Sequence, residues 1–352
     1  MPDWSASMKQ TFEYYIVDPG TWKDAKRLNN VISSSISWDS EADTLGSATL
    51  EVEESPGECY VRIYLITIQN GVKESFPLGT FLVQSPNTEF DGMANAVSLD
   101  AYTPLLELKE KHPPIGYSLL VDENIMNAAY RLVRENTRAP VVKTEQDTKL
   151  HYDFVSETDD TWLTFIKDLL ANAKYSLYLD EIGRVLFVPD QDTASLQPVW
   201  TYDDSNSSIL YPDLTLNHDM YGIPNVVEVI YSNGYDCYYH RAVNDDSNSP
   251  TSTVSRGREI LYRVTDPELA GNPTESEIKD YAEKLLREMS TLEFKVTYTH
   301  GYCPVRVGDC VRLDNTKANL KNVKAKVISQ SVKCEPGCPV TETAIFTTKF
   351  WR

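Results

Sequence analysis

Residues 61–71 read VRIYLITIQNG. Every second residue of Val61–Thr67 is apolar or β-branched, which is the period of a β-strand with one buried face. Asn70-Gly71 follows almost directly, and this dipeptide is typical of the tight turn of a β-hairpin. The stretch therefore predicts a strand that turns back on itself, and it indicates β-structure in this part of the chain.

The same alternation extends over the first hundred residues. Ile32–Trp38 and Ala48–Val52 repeat it, and Pro- and Gly-containing turn signals separate these segments. The turn signals are Asp18-Pro19-Gly20, Ser55-Pro56-Gly57 and Asp91-Gly92. Because short strands at such spacing usually close into a sandwich or barrel, residues 1–104 are predicted to form a first β-barrel.

From residue 105 the apolar period changes to that of helices. Asn124–Glu135 is amphipathic, with Asp122 expected to cap its start, and Asp160–Ala173 carries one apolar stripe. A strand pair, Ser176–Leu179 and Val185–Val188, follows around the turn Asp180–Gly183. Residues 105–198 are therefore predicted to form an α/β domain.

Strands return after residue 199. They are expected at Asn225–Ile230, Cys237–Arg241, Lys295–Thr299, Cys310–Leu313, Lys324–Val332 and Thr341–Phe350. The polar stretch 244–256 is expected to be an exposed loop, and the capping box Thr274–Glu277 predicts a helix over 275–289. These segments predict a second β-barrel at 199–245 and 299–352, with a loop and helix subdomain inserted at 246–298.

The predicted fold class is mainly β with α+β insertions. Two similar β-barrels flank an α/β domain, and a helical insertion interrupts the second barrel. The chain is long enough for this, because 352 residues provide for two or three domains of ordinary size.

Composition and charge restrict the function. No apolar run is long enough for a membrane span and the N-terminus lacks a signal-peptide pattern, so we expect a protein made in a cytoplasm without membrane insertion. The net charge is −19 with no basic cluster, which argues against specific nucleic-acid binding. Such acidity serves either solubility or the wall of a conduit through which DNA slides without sticking.

The sequence carries no signature of enzyme chemistry. The five histidines are dispersed and none has the spacing of a metal site; they are His112, His151, His218, His240 and His300. Acidic pairs such as Asp159-Asp160 suit acid/base or Ca²⁺ chemistry in principle, but a helix N-terminus explains this pair equally well. We therefore expect no catalytic residue, no cofactor and no metal.

The four cysteines in the last 50 residues leave three interpretations open. Cys303 and Cys310 precede Cys334 and Cys338, which flank a Pro-Gly turn. In the first interpretation the cysteines are free thiols, in the second Cys334 and Cys338 form a disulfide, and in the third the cysteines hold a zinc ion. Their spacing is poor for zinc, and Cys310 lies in an alternating segment where a buried strand thiol is expected.

Four segments, in this order, resemble the tail hub family of phages and contractile injection machines, also called baseplate hub or tail-tip proteins. Phe76–Val83 with Val97–Tyr102 is similar to the end of the family's first barrel, and Leu105-Leu106 leads into its two-helix domain. Gly222–Val229 resembles the strand that opens the second barrel. After the capped helix, Pro304–Val311 is similar to the family's P-x-x-x-G-D-x-V hairpin.

The resemblance implies a structural protein of the virion tail tip, assembled in the host bacterial cytoplasm. Three copies are expected to form a homotrimer with pseudo-sixfold symmetry that adapts hexameric tail rings to a threefold tip and leaves a channel for DNA. The implied partners are a distal tail or tail-tube ring protein, a tape measure protein and a tip or fibre protein. The alternative is a carbohydrate-binding or glycan-cleaving tail protein, because aromatic side chains stack on sugars and paired acids cleave glycosidic bonds.

Overall fold

The computed structural model describes residues 2–90, 95–191, 193–218, 220–232, 234–265, 267, 273–290 and 292–348. Its first strands are β1 Lys9–Val17, β2 Asp24–Leu28, β3 Val31–Asp39, β4 Gly46–Val52, β5 Tyr60–Gln69, β6 Val72–Phe90 and β7 Asn95–Tyr102. Then come α1 Leu106–Lys109, β8 Ser118–Leu119, α2 Ile125–Asn136, β9 Phe154–Val155, α3 Trp162–Ala171, β10 Tyr175–Leu179 and β11 Val185–Pro189. The remaining elements are β12 Trp200–Asp203, β13 Leu210–His218, β14 Val226–Ser232, β15 Cys237–Val243, α4 Thr253–Arg256, β16 Leu261–Val264, α5 Glu275–Met289, β17 Leu292–Gly301, β18 Cys310–Asn315, β19 Leu320–Lys333 and β20 Pro339–Thr348.

The fold is mainly β, as predicted. Its largest sheet has 13 strands in the order β13-β17-β20-β19-β3-β4-β7-β6-β5-β1-β2, with β18 beside β19 and β12 beside β18. β3 and β19 are antiparallel neighbours, so strands from the first and the last parts of the chain lie in one sheet. The described strands of this sheet form an open path and not a closed barrel.

The chain divides into two compact units. The first contains Met1–Leu214 and Tyr298–Thr343, and the second contains Thr215–Thr297 with the residues from Ala344 on. The four domain boundaries expected from the sequence remain a prediction.

Period-two alternation builds the first β region. Leu50 in β4, Ile63 and Leu65 in β5 and Leu99 in β7 are fully buried, so the expected apolar face is the core face. Asn70 and Gly71 both have positive φ, 51° and 80°, as the tight hairpin between β5 and β6 requires. Ile32 departs from the pattern, because the pairing of β3 with β4 shifts register between Val31 and Ser33 and leaves its side chain exposed.

Gly79 has a steric reason in β6. A Cβ atom there would lie 2.4 Å from Cε2 of Phe81 and 3.0 Å from Cζ2 of Trp38, closer than such atoms approach one another. The Phe81 and Trp38 rings have centroids 5.3 Å apart, and they cover this backbone position. The Gly-x-Phe pattern that marked this segment is thus a packing requirement.

The helices of the first unit pack around a shared apolar core. Leu132 in α2, with Phe165 and Leu169 in α3, is buried there. The N-cap of α2 is Asn124, whose side chain accepts a hydrogen bond from the Asn127 backbone. The prediction that Asp122 caps this helix is wrong, because Asp122 has φ 67° and its N–H donates to the Leu150 carbonyl, which places it before the first turn.

The second unit contains a three-stranded sheet in the order β15-β14-β16. Helix α5 covers one face through Ile278, Ala282 and Leu286, which pack on Val227 and Val229. Its start is the predicted capping box, in which Thr274 and Glu277 bond each other's backbone N–H groups. Of the expected apolar face, Tyr281 and Leu285 are only partly buried.

The polar stretch 244–256 is exposed only in part, at residues such as Asp245, Ser247 and Asn248, and is not an exposed loop throughout. Asn244, Ser249, Thr251 and Ser252 are fully buried. Asn244 Nδ2 donates to Ser249 Oγ at 3.0 Å, and Ser249 Oγ lies 3.0 Å from Thr251 Oγ1. The prediction failed because these small polar side chains satisfy one another, which makes burial possible without apolar atoms.

Candidate functional site

A cluster of ionisable side chains is buried in the first unit, on the strands of the second β region. Tyr202 lies on β12, Tyr298 and His300 on β17, Cys303 just after β17, and Glu342 on β20. All five side chains are buried. Ordinary strand alternation positions them, because Val296, Tyr298 and His300 occupy the same face of β17.

Glu342 is the centre of this cluster. Its Oε2 accepts a hydrogen bond from Tyr298 Oη at 2.7 Å, and its Oε1 accepts one from Gln330 Nε2 at 2.6 Å. His300 Nε2 lies 3.2 Å from the same Oε1. A carboxylate with this many donors is satisfied without water.

The contacts of His300 suit a charged imidazole. Its Nδ1 faces the Gly301 carbonyl oxygen at 2.6 Å and donates to it. Its Nε2 lies 3.2 Å from the Glu342 carboxylate, and only the imidazolium has an N–H group for each of these two acceptors. Burial disfavours that charge, but hydrogen bonds with Cys303 and Glu342 and the negative charge of Glu342 outweigh it and raise the pKa of His300 to about 10.

The tyrosines and the thiol complete the network. Tyr202 Oη lies 3.0 Å from His300 Nε2 and 3.2 Å from Cys303 Sγ, so its O–H donates to the sulfur while its oxygen faces the imidazolium. Burial, with the charge of Glu342, raises the pKa of Tyr202 and of Tyr298 above the usual tyrosine range. Both phenols therefore stay protonated.

The cluster has the residue types of a nucleophilic site but not its geometry. Cys303 Sγ is 3.9 Å from His300 Nδ1, and that nitrogen already donates to a backbone carbonyl. A thiol nucleophile also needs access to substrate, and Cys303 is 2% exposed. The arrangement fixes β12, β17 and β20 against one another.

A groove of about 420 Å³ lies next to this cluster. Gln330 connects the two, because its Nε2 donates to Val305 O at 2.9 Å as well as to Glu342, and both Gln330 and Val305 line the groove. Aromatic rings, aliphatic side chains and carboxylates form its walls. They include Trp38, Leu45, Leu78, Leu177, Tyr178, Leu179, Asp190, Tyr302, Val307 and Val332.

The Pro304–Val311 segment forms one wall of the groove. Gly308 has φ 95°, a conformation that favours glycine, and its N–H donates to the Val327 carbonyl at 2.8 Å. Asp309 Oδ2 accepts a hydrogen bond from the Arg306 backbone N–H at 2.9 Å and closes the turn. Burial raises the pKa of Asp309, although that hydrogen bond from Arg306 counteracts it.

The remaining sequence candidates are dispersed. All six cysteines are free thiols: Cys310 lies in β18, as expected for a buried strand thiol, and Cys334 and Cys338 lie at the end of the β19–β20 hairpin. Asp160 at the start of α3 accepts hydrogen bonds from Glu157 N and Thr164 Oγ1, which suits its role at a helix N-terminus. Within the described part of the chain, no group of three or more His, Cys, Asp or Glu side chains is arranged to hold a metal ion.

Sequence reasoning missed the buried cluster. His300 and Glu342 are 42 positions apart, so no local motif joins them. One signal was present: His300 continues the alternation of Val296 and Tyr298 and is thereby placed on the buried face. Among the described residues, no helix has both the length and the apolar composition needed to cross a membrane.

No family model matches the chain, and no curated protein matches it. Solved structures do. It is similar to a tail protein from Neisseria meningitidis MC58, with a TM-score of 0.64 and 13% identity over 97% of this chain and 98% of that one. It is also similar to a 43 kDa tail protein of prophage MuSo2 from Shewanella oneidensis, with a TM-score of 0.63 and 10% identity over 95% of this chain and 98% of that one. A prophage tail protein from Listeria monocytogenes EGD-e has a TM-score of 0.52 at 11% identity, with 94% of each chain covered. At these identities the likeness is one of fold.

Proposed function

We propose that this chain is a structural hub protein of a phage-type tail, without enzymatic activity. The observation that supports the proposal most strongly is the fold likeness to tail proteins over almost the whole length of both chains. The four motif segments point the same way, and two of them, around Gly79 and Gly308, have the steric roles described above.

In this proposal three copies form a ring at the tail tip. Each copy would supply two similar barrel-like regions, one from residues 1–104 and one from 199–245 with 299–352, so the ring would have pseudo-sixfold symmetry. It contacts a distal tail or tail-tube ring on one side and a tip or fibre protein on the other. The antiparallel pairing of β3 with β19 supports a fixed relation between the strands assigned to the two barrels.

The ring would surround a channel with an acidic wall. A net charge of −19 per chain supplies negative side chains in excess. A negative wall repels phosphate, so DNA would pass without binding, and the tape measure protein would use the same channel.

Cryo-electron microscopy of assembled particles tests this proposal directly. We expect density for three copies at the tail tip, arranged around an open channel lined by Asp and Glu. A sixfold or peripheral location of the chain, or a channel lined by Lys and Arg, would refute the hub assignment.

A glycan-binding or glycan-cleaving role is the second candidate, and the groove is the observation that favours it. Trp38, Tyr178 and Tyr302 line it together with the carboxyl groups of Asp190 and Asp309. The hub proposal expects no release of reducing sugar from peptidoglycan or host polysaccharide. Release that disappears in Asp190→Asn or Asp309→Asn would instead establish the enzyme.

A further inference from the structure

An exposed apolar surface lies on the first unit, away from the groove and the buried cluster. The segments 117–122 and 150–156 run antiparallel: β8 pairs with β9, Asp122 N donates to Leu150 O at 3.0 Å, and Ser156 N donates to Tyr117 O at 2.9 Å. Five large apolar side chains on or beside this pair of segments are exposed. They are Ile115 (97%), Leu120 (63%), Val121 (49%), Tyr152 (83%) and Val155 (55%), and we call them the apolar ribbon.

The apolar ribbon is held in place by the core beneath it. Leu119 and Leu150 lie on the same two segments and are buried in the helical core. Phe154 packs against Phe165 of α3 with ring centroids 4.9 Å apart. Asp153 Oδ1 accepts a hydrogen bond from Val121 N at 2.8 Å, which ties the two segments together. Because this surface is already ordered, little conformational entropy is lost when a partner binds.

Exposure of this kind indicates an interaction surface. Single exposed apolar residues are ordinary in soluble proteins, whereas five on one short ribbon are typical of a site that another protein covers. Tyr152 is the most favourable anchor, because a large aromatic side chain buries much area for few lost rotamers.

The acidic side chains around the apolar ribbon favour a partner that carries positive charge. Residues 110–123 and 147–160 contain eight acidic and two basic side chains, a net charge of −6. Glu123 is neutralised by Arg131 at 3.0 Å, but Asp122, Glu157 and Asp159 are exposed. A second copy would bring the same acidic rim against this one and would be repelled, as would an anionic lipid or nucleic-acid surface.

We infer that the apolar ribbon binds an extended segment of another protein that carries apolar side chains flanked by Lys or Arg. The apolar residues of that segment would cover Leu120, Tyr152 and Val155, and its basic residues would face Asp122, Glu157 and Asp159. The inference does not depend on the proposed hub role, because such a segment binds the ribbon whether or not the chain forms a ring.

The first test uses two synthetic ten-residue peptides. In both, every second residue is Val or Leu; the remaining positions are Lys in one peptide, the Lys peptide, and Glu in the other, the Glu peptide. Fluorescence anisotropy with the full chain is expected to show binding of the Lys peptide, at least tenfold weaker binding of the Glu peptide, and a loss of affinity between 50 and 300 mM salt. The double variant Leu120→Ser with Tyr152→Ser is expected to bind the Lys peptide at least tenfold more weakly than the unmodified chain. Both side chains are exposed, so the melting temperature should be unchanged.

The matched control is Ile32→Ser with Val72→Ser, which removes two other exposed apolar side chains, 59% and 60% exposed, outside the apolar ribbon. It should bind the Lys peptide as the unmodified chain does. Failure of the Lys peptide to bind, equal binding of both peptides, or equal loss in the two double variants would overturn the inference.

The second test places a photo-crosslinking amino acid at Tyr152 in the full chain during particle assembly and identifies the crosslinked peptide by mass spectrometry. The inference expects one segment of another protein with apolar residues flanked by Lys or Arg. A crosslink to a second copy of this chain, or to an acidic segment, would contradict it. The location of the chain in the particle tests the hub proposal separately.

Discussion

The Ile63 face of β5 and the His300 face of β17 differ in kind, although each strand carries buried residues at every second position of that face. β5 buries Ile63 and Leu65, which need only be removed from water. β17 buries Tyr298 and His300, whose polar atoms must each find a partner in the interior. The Ile63 face of β5 therefore depends on the removal of apolar atoms from water, whereas the buried cluster is stable only when every polar member has its partner.

This difference indicates which substitutions should lower the stability of the protein most. An apolar face loses stability in proportion to the atoms that are removed and the cavity that remains. A buried ion pair loses far more when one partner is removed, because the other charge stays in the interior without compensation.

The largest effect is expected for Glu342→Gln. This change keeps the size of the side chain but leaves the His300 imidazolium without its counter-ion, and it should lower the free energy of unfolding by about 3–5 kcal/mol. Urea denaturation followed by circular dichroism measures the loss. Glu58→Gln removes an exposed carboxylate from the first β region and should stay within about 0.5 kcal/mol of the unmodified chain. Similar values for the two variants would mean that Glu342 is not the centre of the cluster.

Leu65→Ala is the corresponding change in the first β region. Leu65 is fully buried, so we expect a loss of about 2–5 kcal/mol from the lost transfer energy and the cavity. The loss should be the same at pH 6.5 and pH 9, since no titratable partner is involved. A loss that changes with pH would erase the distinction between the two regions.

Two tyrosine hydroxyls give a more precise comparison. Tyr298 Oη donates to Glu342, and Tyr298→Phe should cost about 1.5–3 kcal/mol because that hydrogen bond goes to a charged group. Tyr60 Oη, at the start of β5, is buried without a hydrogen-bond partner among the described residues. Tyr60→Phe should therefore be neutral or slightly stabilising. Thermal denaturation of the two variants side by side is the measurement, and equal losses would contradict the assignment of the network.

The smallest expected effect is the change in the free energy of unfolding per pH unit. The pKa of His300 is about 10 in the folded chain and lies near 6.5 in an unfolded one. The folded state therefore holds the proton more tightly, so this stabilisation is complete below pH 6.5 and falls as pH rises toward 10, by up to about 1.4 kcal/mol per pH unit. Unfolding free energies between pH 6.5 and 9 should show this decline in the unmodified chain and in Leu65→Ala, but not in His300→Gln. An unchanged slope in His300→Gln would show that another group titrates.

Much of the secondary structure could be predicted because its signals are local. The capping box of α5, the Asn70-Gly71 hairpin and the alternation of β4 and β5 each lie within a few residues. The burial of 244–256 could not be predicted, because it depends on hydrogen bonds among polar side chains that resemble those of any solvated loop. The N-cap of α2 was assigned two residues too early, since Asp122 and Asn124 are both good caps in isolation.

The buried cluster could be predicted only in part. Alternation along β17 places His300 inward, but its partner Glu342 comes from β20 and Tyr202 from β12. Which strands become neighbours is a property of the sheet order and not of any single strand. Alternation with Val340 and Ala344 places Glu342 on the buried face of β20 as well, but nothing in its own segment identifies the His300 and Tyr298 side chains that it meets there.

The pairing of β3 with β19 also determines when the molecule can finish folding. Ser40 Oγ donates to the Ile328 carbonyl at 3.0 Å, and the two residues are 288 positions apart. At a synthesis rate of about 5–20 residues per second, roughly 15–60 seconds separate their emergence from the ribosome. Through that interval the β3 edge that later receives β19 has no native partner, and such an edge is open to pairing with other chains. The nascent chain therefore carries an edge that can pair with other chains until β19 is made, and a chaperone that covers this edge would raise the yield of folded protein.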